Sequence, residues 1–392
     1  MSTQSTWTIA TAASANFFVA TSIRQEYIIN IIFRTCWLIP LKAPLWFRRI
    51  FAKCYEYGGV HSGAAISATL WFGLLTANIW VNFASGALRS VPVVVTTSIL
   101  FPLFILIIIF AYPRLRVAMH NSFERTHRFA GWTSLFVFWL QIIFLVDFFD
   151  GHPRGLKMFL GLCQRPSFWL LFLSTCHSLH PWLRLRRWTF EPERLSSHAI
   201  RLNFKHDIHA FSGIAISKSP LKEWHPFATF PGDNGVGGSL IISNAGDFTN
   251  EVIHNPQTTY WVKGLPRHGP LSMAQIFRSV VFVATGSGIG PAMTFLADPS
   301  RRQPVRILWS TPNPEETFGP KIIEMVKGVD KEAVVWDTRT QGRPDMVALT
   351  YRLFVEAKAE AVFIVSNPKL TRKVKYGLES RGIPVYGPIF DS

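Results

Sequence analysis

One stretch constrains the fold of this chain more than any other, and it runs Val280-Val281-Phe282-Val283-Ala284-Thr285-Gly286-Ser287-Gly288-Ile289-Gly290-Pro291-Ala292-Met293. The β-branched and aromatic residues at its start predict a buried strand, and the apolar pattern over 291–296 predicts a helix. Between them, Gly286, Gly288 and Gly290 would let the backbone approach a phosphate group with no Cβ in the way. The helix that follows offers free N–H groups and a positive dipole end to an anion. The stretch therefore predicts a nucleotide-binding α/β domain.

The glycines follow the pattern G-x-G-x-G-P and not the dinucleotide pattern G-x-G-x-x-G, because Gly290 comes one residue too early. Ser287 lies inside the turn, and Pro291 suits the first turn of a helix. A glycine turn in an ordinary α/β domain is the alternative interpretation. The other features of the chain distinguish a nucleotide-binding loop from an ordinary glycine turn.

Composition indicates a chain that is part membrane and part water-exposed. Of the 392 residues, 48% are hydrophobic, 14% are aromatic and only 16% are charged. The net charge of +16 fits cytosolic membrane flanks and a phosphate site, because the basic residues cluster beside apolar runs and no nucleic-acid module is present. The four cysteines, Cys36, Cys54, Cys163 and Cys176, show neither paired metal spacing nor a disulfide framework.

Four apolar stretches match the thickness of a bilayer core. They are 59–83, 91–112, 129–149 and 168–183. Basic residues flank them before the first stretch (Arg48, Arg49, Lys53), between the second and third (114–128) and after the fourth (184–187). The positive-inside rule then predicts a multi-pass membrane protein whose C-terminal part is cytosolic. Residues 1–57 are expected to form interfacial helices, and the number of further spans among them is left open.

After Trp188 the pattern changes to short alternating strands separated by turns, which predicts an antiparallel β barrel. The predicted barrel strands are 199–204, 211–217, 239–243 and 259–263. From Ser279 onward strands and helices alternate, which predicts a parallel α/β sheet. Its predicted strands are 280–284, 305–309, 333–336 and 361–365, and its predicted helices are 291–296, 321–326, 344–356 and 370–380. The predicted domains are 1–57, a four-helix transmembrane bundle over 58–187, a β barrel over 188–272 and an α/β domain over 273–392.

Short motifs in the C-terminal half resemble those of one family. They are His225-Pro226-Phe227-Ala228 for H-P-F-T, Gly246-Asp247-Phe248-Thr249 for G-D-F/W-T, the 264–269 turn for G-P-x-G, 285–291 for a pyrophosphate loop, and Gly342-Arg343-Pro344 for a G-R-P stretch. With the domain order, they resemble the ferric reductase and NADPH oxidase superfamily. The ending Tyr386-Gly387-Pro388-Ile389-Phe390-Asp391-Ser392 looks most like the fungal TmpA-like transmembrane flavoproteins, which are linked to conidiation and secondary metabolism.

The resemblance implies a ferredoxin-reductase type of fold, with FAD on the barrel and NADPH on the α/β domain. It implies that His225 and Phe227 contact the flavin ring and that Thr249, with nearby backbone N–H groups, holds a pyrophosphate. Phe390 is a further cofactor-binding residue on the same grounds. Ser366, in Ser366-Asn367-Pro368, stands where the family has the cysteine of C-G-P and is the implied catalytic residue. Ala228 and Ser366 depart from the family motifs, so hydride transfer is less firmly implied than cofactor binding.

The residues after the predicted strand at 305–309 indicate which nucleotide the domain binds. NAD enzymes usually place an acidic residue there for the ribose hydroxyls, but here Ser310 and Thr311 follow. Basic Arg339 and Arg343 occur elsewhere in the predicted domain. This composition favours NADPH.

Two histidines raise the question of haem. His61 and His127 open the first and third apolar stretches, at similar predicted depth on the cytosolic side. The outer histidine partners of two-haem relatives are missing, since Leu74, Leu75, Leu140 and Gln141 stand there. Two haems are excluded, and we favour hydrogen-bonded interfacial histidines over a single haem. No other metal site is expected.

The function that this resemblance implies is a membrane-bound, FAD-dependent oxidoreductase. It would take hydride from NADPH in the cytosol and pass electrons to an acceptor at or across the membrane, in developmental signalling or secondary metabolism. The acceptor would be an unidentified small organic or lipid-phase molecule. The alternative is a non-enzymatic membrane redox sensor that binds FAD or NADPH, which the departures at Ala228 and Ser366 favour slightly.

Overall fold

The computed structural model describes residues 3–209, 211–232, 236–297 and 303–388. Phe390, one of the predicted cofactor-binding residues, lies outside the described residues. The helices are α1 (Thr3–Ser22), α2 (Glu26–Trp37), α3 (Leu45–Phe51), α4 (Gly58–Ala84), α5 (Val91–Ala111), α6 (Pro113–Ala118), α7 (His120–Phe149), α8 (Leu156–Cys163), α9 (Pro166–Leu183), α10 (Asp247–His254), α11 (Ile289–Leu296), α12 (Pro314–Phe318), α13 (Pro320–Val329), α14 (Met346–Glu356) and α15 (Pro368–Glu379). The strands are β1 (Arg186–Thr189), β2 (Glu191–Arg194), β3 (Ala199–Phe204), β4 (Ser212–Ser217), β5 (His225–Ala228), β6 (Phe230–Pro231), β7 (Gly238–Ser243), β8 (Thr259–His268), β9 (Val280–Thr285), β10 (Val305–Thr311), β11 (Val334–Asp337), β12 (Ala361–Val365) and β13 (Val385–Tyr386).

The chain divides into two compact units, and two separate segments of the chain form the second unit. The first unit takes the chain up to Gln25 and Tyr57–Leu183, and the second takes Glu26–Glu56 and the chain from Arg184 onward. Residues 26–56, predicted as part of an N-terminal region, therefore pack with the C-terminal sheets. We call residues 26–56 the N-terminal segment of the second unit.

The first unit is helical, with a core of aromatic and aliphatic side chains. Phe72 on α4, Leu100 on α5 and Phe138 on α7 are almost fully buried in it. The helix α1, expected to be interfacial, contributes Trp7 and Ala13 to the same core.

Three helices of the first unit are long and apolar enough to cross a membrane, judged by length and composition: α4, α5 and α7. The predicted fourth stretch does form a helix, α9, but α9 does not meet that criterion among the described residues. It has 18 residues, and His177 and His180 make its second half polar. A four-span transmembrane bundle is therefore not shown.

The first part of the second unit contains two four-stranded antiparallel sheets. Their strand orders are β1-β8-β4-β5 and β2-β3-β7-β6. Buried side chains such as Phe190, Leu202, Ile214, Leu240 and Tyr260 fill the core between them. The four barrel strands predicted from alternating polarity are confirmed as β3, β4, β7 and β8.

The second part of this unit is a five-stranded parallel sheet in the order β11-β10-β9-β12-β13. The four predicted strands are confirmed as β9, β10, β11 and β12. Strand β12 is fully buried and β9 is buried up to Ala284, as expected for central parallel strands covered on both faces. The short edge strand β13 was not predicted. Because β9 comes first in the chain and lies between β10 and β12, the direction of winding reverses at β9.

Helix α2 of the N-terminal segment is seated on the end of β8. The side chain of Asn30 donates to the carbonyl of Pro266 and accepts from the backbone N–H of His268, both at 2.9 Å. Arg34 Nε donates to Nε2 of the buried His268 at 3.3 Å. Burial, together with the charge of Arg34, lowers the pKa of His268 to about 4. His268 is therefore neutral at physiological pH and serves as a hydrogen-bond acceptor that holds α2.

Arg48 on α3 anchors the same segment to the parallel sheet. Its side chain is 2% exposed and makes two bonds to the carboxylate of Glu360, at 2.6 and 2.9 Å. It also donates to the carbonyls of Ile276 and Ala43. Arg48, predicted as a basic flank of the first apolar stretch, is thus a buried ion-pair partner, and its place relative to a membrane stays a prediction. Arg48 is buried in the second unit, where a carboxylate and two carbonyls replace its hydration.

Candidate functional site

The glycine loop leaves β9 as a 3-10 turn, Gly286–Gly288, and passes directly into α11. Gly286 has a φ of +50°, a conformation that favours glycine, and a Cβ added there would meet no atom within 4 Å. The indole N–H of Trp309 donates to the carbonyl of Gly286 at 2.9 Å. Since α11 begins at Ile289, Gly290 and Pro291 lie in its first turn, as the strand–turn–helix prediction required. Trp309, which binds the loop through this hydrogen bond, was not among the predicted site residues.

Two glycines of the loop tolerate a side chain very differently. A Cβ at Gly288 would lie 2.3 Å from the carbonyl oxygen of Val365, at the end of the neighbouring strand β12. A Cβ at Gly290 would make an ordinary contact with Ile241, at 3.6 Å. Glycine is therefore required at position 288 by the close approach of the loop to β12. This is a second reason for glycine, beside the phosphate contact proposed from the sequence.

Two hydroxyl groups meet at the carboxyl edge of the sheet beside this loop. Thr285 ends β9 and Ser366 directly follows β12, and these two strands are parallel neighbours. Their Oγ atoms lie 2.6 Å apart. Ligands of doubly wound sheets bind outside the carboxyl ends of the strands where the winding reverses, which is the position of this pair. Thr285 was part of the predicted loop but was not predicted as a site residue, although parallel pairing of β9 and β12 would bring it there.

The predicted nucleotide-selecting residues lie along the same edge. Ser310 on β10 is 5% exposed and pairs in register with Thr285. Arg343 is exposed in the loop before α14, and the carbonyl of its neighbour Gly342 accepts from the indole N–H of Trp336 at 2.9 Å. Ser310 is thus placed beside the glycine loop, whereas Arg343 belongs to a separate loop.

An acidic residue, Asp337, lies at this edge at the end of β11. It was not among the residues predicted to bind the nucleotide. Its Oδ1 accepts from the backbone N–H groups of Arg339 and Asn313, each at 2.9 Å. These bonds lower the pKa of the Asp337 carboxyl. Oδ1 of Asp337 therefore holds two loops through their backbone N–H groups.

The flavin motifs come together on the antiparallel sheets. The ring of His225 on β5 stacks on the ring of Phe248, with centroids 3.8 Å apart and planes 15° apart. Phe227 lies further along β5, with its ring 6.4 Å from that of Phe248 and nearly parallel to it. Pro226, between them, is exposed. Two motifs about twenty residues apart in the sequence thus form one aromatic cluster.

The second flavin motif forms the start of α10. The hydroxyl of Thr249 accepts from the backbone N–H groups of Ala245 and Gly246, at 2.8 and 3.0 Å, and donates to the carbonyl of Gly246. Thr249 therefore makes the N3 half of a capping box, since Gly246 has no side chain to complete it. Asp247 lies in the first turn, where a negative charge stabilises a helix. The cofactor roles inferred for these residues stay predictions.

His61 and His127 face each other in the first unit. Their ring centroids are 6.2 Å apart with the planes at 42°, and His61 Nδ1 lies 2.8 Å from the carbonyl oxygen of Ala20. His127 is exposed, so the pair lies at the surface of the unit. Gln141, at an outer-ligand position, is buried and donates to Thr97 at 2.7 Å.

We predict that the purified protein shows no haem Soret band, because one histidine of the pair is exposed and the outer ligand positions have other roles. His61→Ala and His127→Ala should then leave the visible spectrum unchanged, and each should cost about 1 kcal/mol of stability or less. The measurement is an absorption spectrum of detergent-purified wild-type protein and both variants. A six-coordinate haem spectrum that either variant removes would contradict the prediction.

Comparison with known proteins relates the chain to fungal reductases. A family model described as "Adenylate-forming reductase 03009, C-terminal domain" matches residues 271–392. Adenylate-forming reductase 03009 of Coprinopsis cinerea is 45% identical over 96% of this chain and 37% of its own length. Adenylate-forming reductase 06235 of the same fungus is 43% identical over the same shares. The chain thus spans little more than a third of the length of these relatives.

Among solved structures, a ferredoxin NADP+ reductase from Neisseria gonorrhoeae with bound FAD and NADP is similar to part of this chain. The match covers 52% of this chain and 98% of the reductase chain. The sequence identity is 13% and the TM-score is 0.43. This similarity is too weak to assign a function to the chain.

These relatives correct the family that the motifs indicated. The resemblance to TmpA-like proteins of the ferric reductase and NADPH oxidase superfamily is wrong, because the relatives that match nearly the whole chain are adenylate-forming reductases. The function drawn from that resemblance, a membrane-bound ferric-reductase-type enzyme that passes electrons to an acceptor at or across the membrane, is wrong for the same reason. The motifs misled because they describe a way of holding cofactors, which proteins of different function can share.

Proposed function

We propose that the second unit is an NADPH-dependent flavin reductase module, which binds NADPH at the carboxyl edge of the parallel sheet and FAD on β5 and α10. One observation carries the proposal: the glycine loop and the Thr285–Ser366 hydroxyl pair meet where the winding of the sheet reverses. A pyrophosphate suits the turn Gly286–Gly288, whose N–H groups open the continuous helical stretch that leads into α11.

The residues of this edge fit a nucleotide in chemical terms. Gly286 leaves open space on the loop, and the buried Ser310 lies next to Thr285 without adding a negative charge. The exposed Arg339 and Arg343 supply positive charge for a 2′-phosphate. These features support NADPH over NADH.

The aromatic cluster of β5 and α10 fits a flavin. His225, Phe227 and Phe248 present nearly parallel rings, and Lys218 Nζ lies 5.8 Å from the centroid of Phe248. Gly246, where an added Cβ would meet no atom within 4 Å, leaves open space for a second pyrophosphate beside the start of α10. FAD bound there would supply two-electron uptake from NADPH and release to an acceptor. Ser366 and Thr285 would position the nicotinamide ring against it.

Both relatives are named as reductases, and this supports an enzyme over a non-enzymatic sensor. Their names also state that they form adenylates, and the domain matched by residues 271–392 is C-terminal in one of them. We therefore propose that this chain carries out the reductase step and that its acceptor is a small organic molecule.

The proposal is tested by Ser366→Ala. We expect the variant to retain FAD while NADPH reduces that flavin about tenfold more slowly, the effect of one lost hydrogen bond of roughly 1.4 kcal/mol at the transition state. The measurement is the anaerobic rate of flavin bleaching after rapid mixing with NADPH. Ser380→Ala is the control, because the Ser380 hydroxyl bonds only to Gly377 at the other end of α15. Wild-type protein that purifies without flavin, or whose flavin NADPH does not reduce, would overturn the proposal.

The location of the chain is a separate proposal: α4, α5 and α7 lie in a membrane, with the second unit on the cytosolic side. Their length and composition support it, as do the basic residues between α5 and α7. A glycosylation acceptor inserted beside Gly342 should stay unmodified, and one inserted beside Arg154 should be modified. Modification beside Gly342 would refute the orientation.

A further inference from the structure

One surface of the N-terminal segment combines exposed apolar side chains with basic ones. Trp46 and Ile50, four positions apart on one side of α3, are 64% and 59% exposed. Residues 38–53 contain neither Asp nor Glu. We call the exposed or half-buried members of this set the α3 surface: Leu38, Lys42, Trp46, Arg49, Ile50 and Lys53. An apolar patch with a charged rim is typical of an interaction site.

A cavity of about 510 Å³ opens beside the α3 surface, between α3 and the edge strand β13. Ile50 and Val385 give it apolar walls, and Arg49 and Lys53 contribute positive charge. The hydroxyl of Tyr386 on β13 donates to the backbone carbonyl of Arg49 at 3.1 Å, which holds α3 against this strand. The cavity therefore offers an apolar lining and two cationic groups in one place.

The side chain of Arg49 leaves a donor unsatisfied in the described part of the chain. Its Nε is buried and has no hydrogen-bond partner there, whereas the neighbouring Arg48 donates to Glu360 and to two carbonyls. Glu379 also lines the cavity, but its carboxylate lies 3.9 Å from Lys375. A buried donor without an acceptor is costly, so an anion bound in the cavity would stabilise the site.

We propose that the α3 surface rests on the cytosolic leaflet of a membrane, with the phosphate of an anionic phospholipid headgroup in this cavity. Trp46 and Ile50 would enter the interfacial layer, where tryptophan side chains are favoured. Arg49 and Lys53 would pair with the phosphate, since the negative leaflet surface attracts basic groups. The inference rests on the proposed membrane location of α4 and adds a lipid contact made by the second unit.

The order of the chain supports a lipid over a protein as the partner. Only residues 54–57 lie between Lys53 and Gly58, where α4 begins. So short a connection cannot carry the α3 surface far from a membrane that α4 enters. The combination of exposed apolar and basic side chains also matches the interfacial layer, which is apolar below and negatively charged above.

The test uses the full-length protein in nanodiscs of phosphatidylcholine, with or without phosphatidylserine. The photoreactive residue p-benzoylphenylalanine is placed at Trp46 or, as the control, at Tyr376, which is 78% exposed on α15. After irradiation, mass spectrometry identifies the adducts. We expect lipid adducts at position 46 and none above background at position 376. Phosphatidylserine should exceed its share of the bilayer among those adducts.

The double variant Arg49→Gln/Lys53→Gln tests the headgroup site. It should keep the lipid adducts at position 46, because the apolar contact remains, while the phosphatidylserine fraction falls to its share of the bilayer. Lys53→Gln alone, at an exposed position, should lose part of the enrichment. Inorganic phosphate should change the enrichment no more than chloride of equal ionic strength. A specific loss in phosphate would show that the cavity takes a free anion, which would overturn the lipid site.

Equal adduct yields at positions 46 and 376 would overturn the proposal while leaving the membrane location intact, and so would adducts to another protein chain. Enrichment that survives both substitutions would refute the headgroup site. A chain that associates with neither bilayer would overturn this inference together with the membrane location. Circular dichroism checks that each variant is folded.

Discussion

Replacing Gly288 by alanine is expected to slow NADPH-driven flavin reduction by about a hundredfold. The added Cβ would lie 2.3 Å from the carbonyl oxygen of Val365, so the loop or the end of β12 must move. Either shift displaces the glycine loop from Ser366, and a displacement of roughly 1 Å costs about two orders of magnitude in well-positioned reactions. The measurement is flavin reduction in rapid mixing over a range of NADPH concentrations.

Gly290→Ala is the matched control in the same loop. Its Cβ would make an ordinary 3.6 Å contact with Ile241, so the variant should stay within a few-fold of the wild type. Circular dichroism of both variants separates a local shift from unfolding. Equal activity of Gly288→Ala and wild type would show that the loop does not hold the nucleotide.

The second large effect is expected from Arg48→Met, which should lower the stability of the second unit by about 3 kcal/mol. The change removes a buried guanidinium and leaves the Glu360 carboxylate, 16% exposed, with only the longer ion pair to Arg278, whose Nε lies 4.0 Å away. The backbone N–H of Arg278, at 2.7 Å, stays as a donor to Glu360 and limits the loss. For a domain of this size the thermal midpoint should fall by roughly 6–12 °C, measured by near-ultraviolet circular dichroism.

The double variant Arg48→Met/Glu360→Gln should recover part of that loss, because the largely buried side chain at position 360 is then neutral. Arg352→Met is the control, since Arg352 and Glu356 form an exposed pair that should contribute less than about 0.5 kcal/mol. A midpoint for Arg48→Met equal to that of the control would show that the buried pair does not anchor the segment.

The sequence predicted most of the sheet architecture because its signals are local. The buried run of β9, the alternating sequence of β3 and the apolar centre of β7 can be read within a few residues, and the structure confirms all of these strands. The glycine loop was predicted for the same reason. Ser366 was found only through its neighbours in a motif, and its partner Thr285 was missed because their contact depends on which strands pair.

What the sequence did not predict depends on distant contacts. Arg48 follows an apolar run and resembles a membrane flank, and nothing near it in the chain points to Glu360. Asn30 and Arg34 are likewise brought to Pro266 and His268 by the packing of α2 on β8. The family assignment failed for a different reason, because cofactor motifs describe a binding geometry and not the reaction that a whole protein performs.

The second unit is built from two separate segments of the chain, so the order of synthesis affects how it folds. Glu360 is made 312 positions after Arg48, which is about 15 s to a minute of translation at usual rates. During that time α2 and α3 have left the ribosome, but the sheets that will cover them do not yet exist. Ile31, Trp46 and Ile50 stay exposed even in the finished fold. The nascent chain must therefore keep a basic, apolar segment from aggregating until its partners arrive, and a fragment that begins after this segment would leave the seat on β8 and Glu360 uncovered.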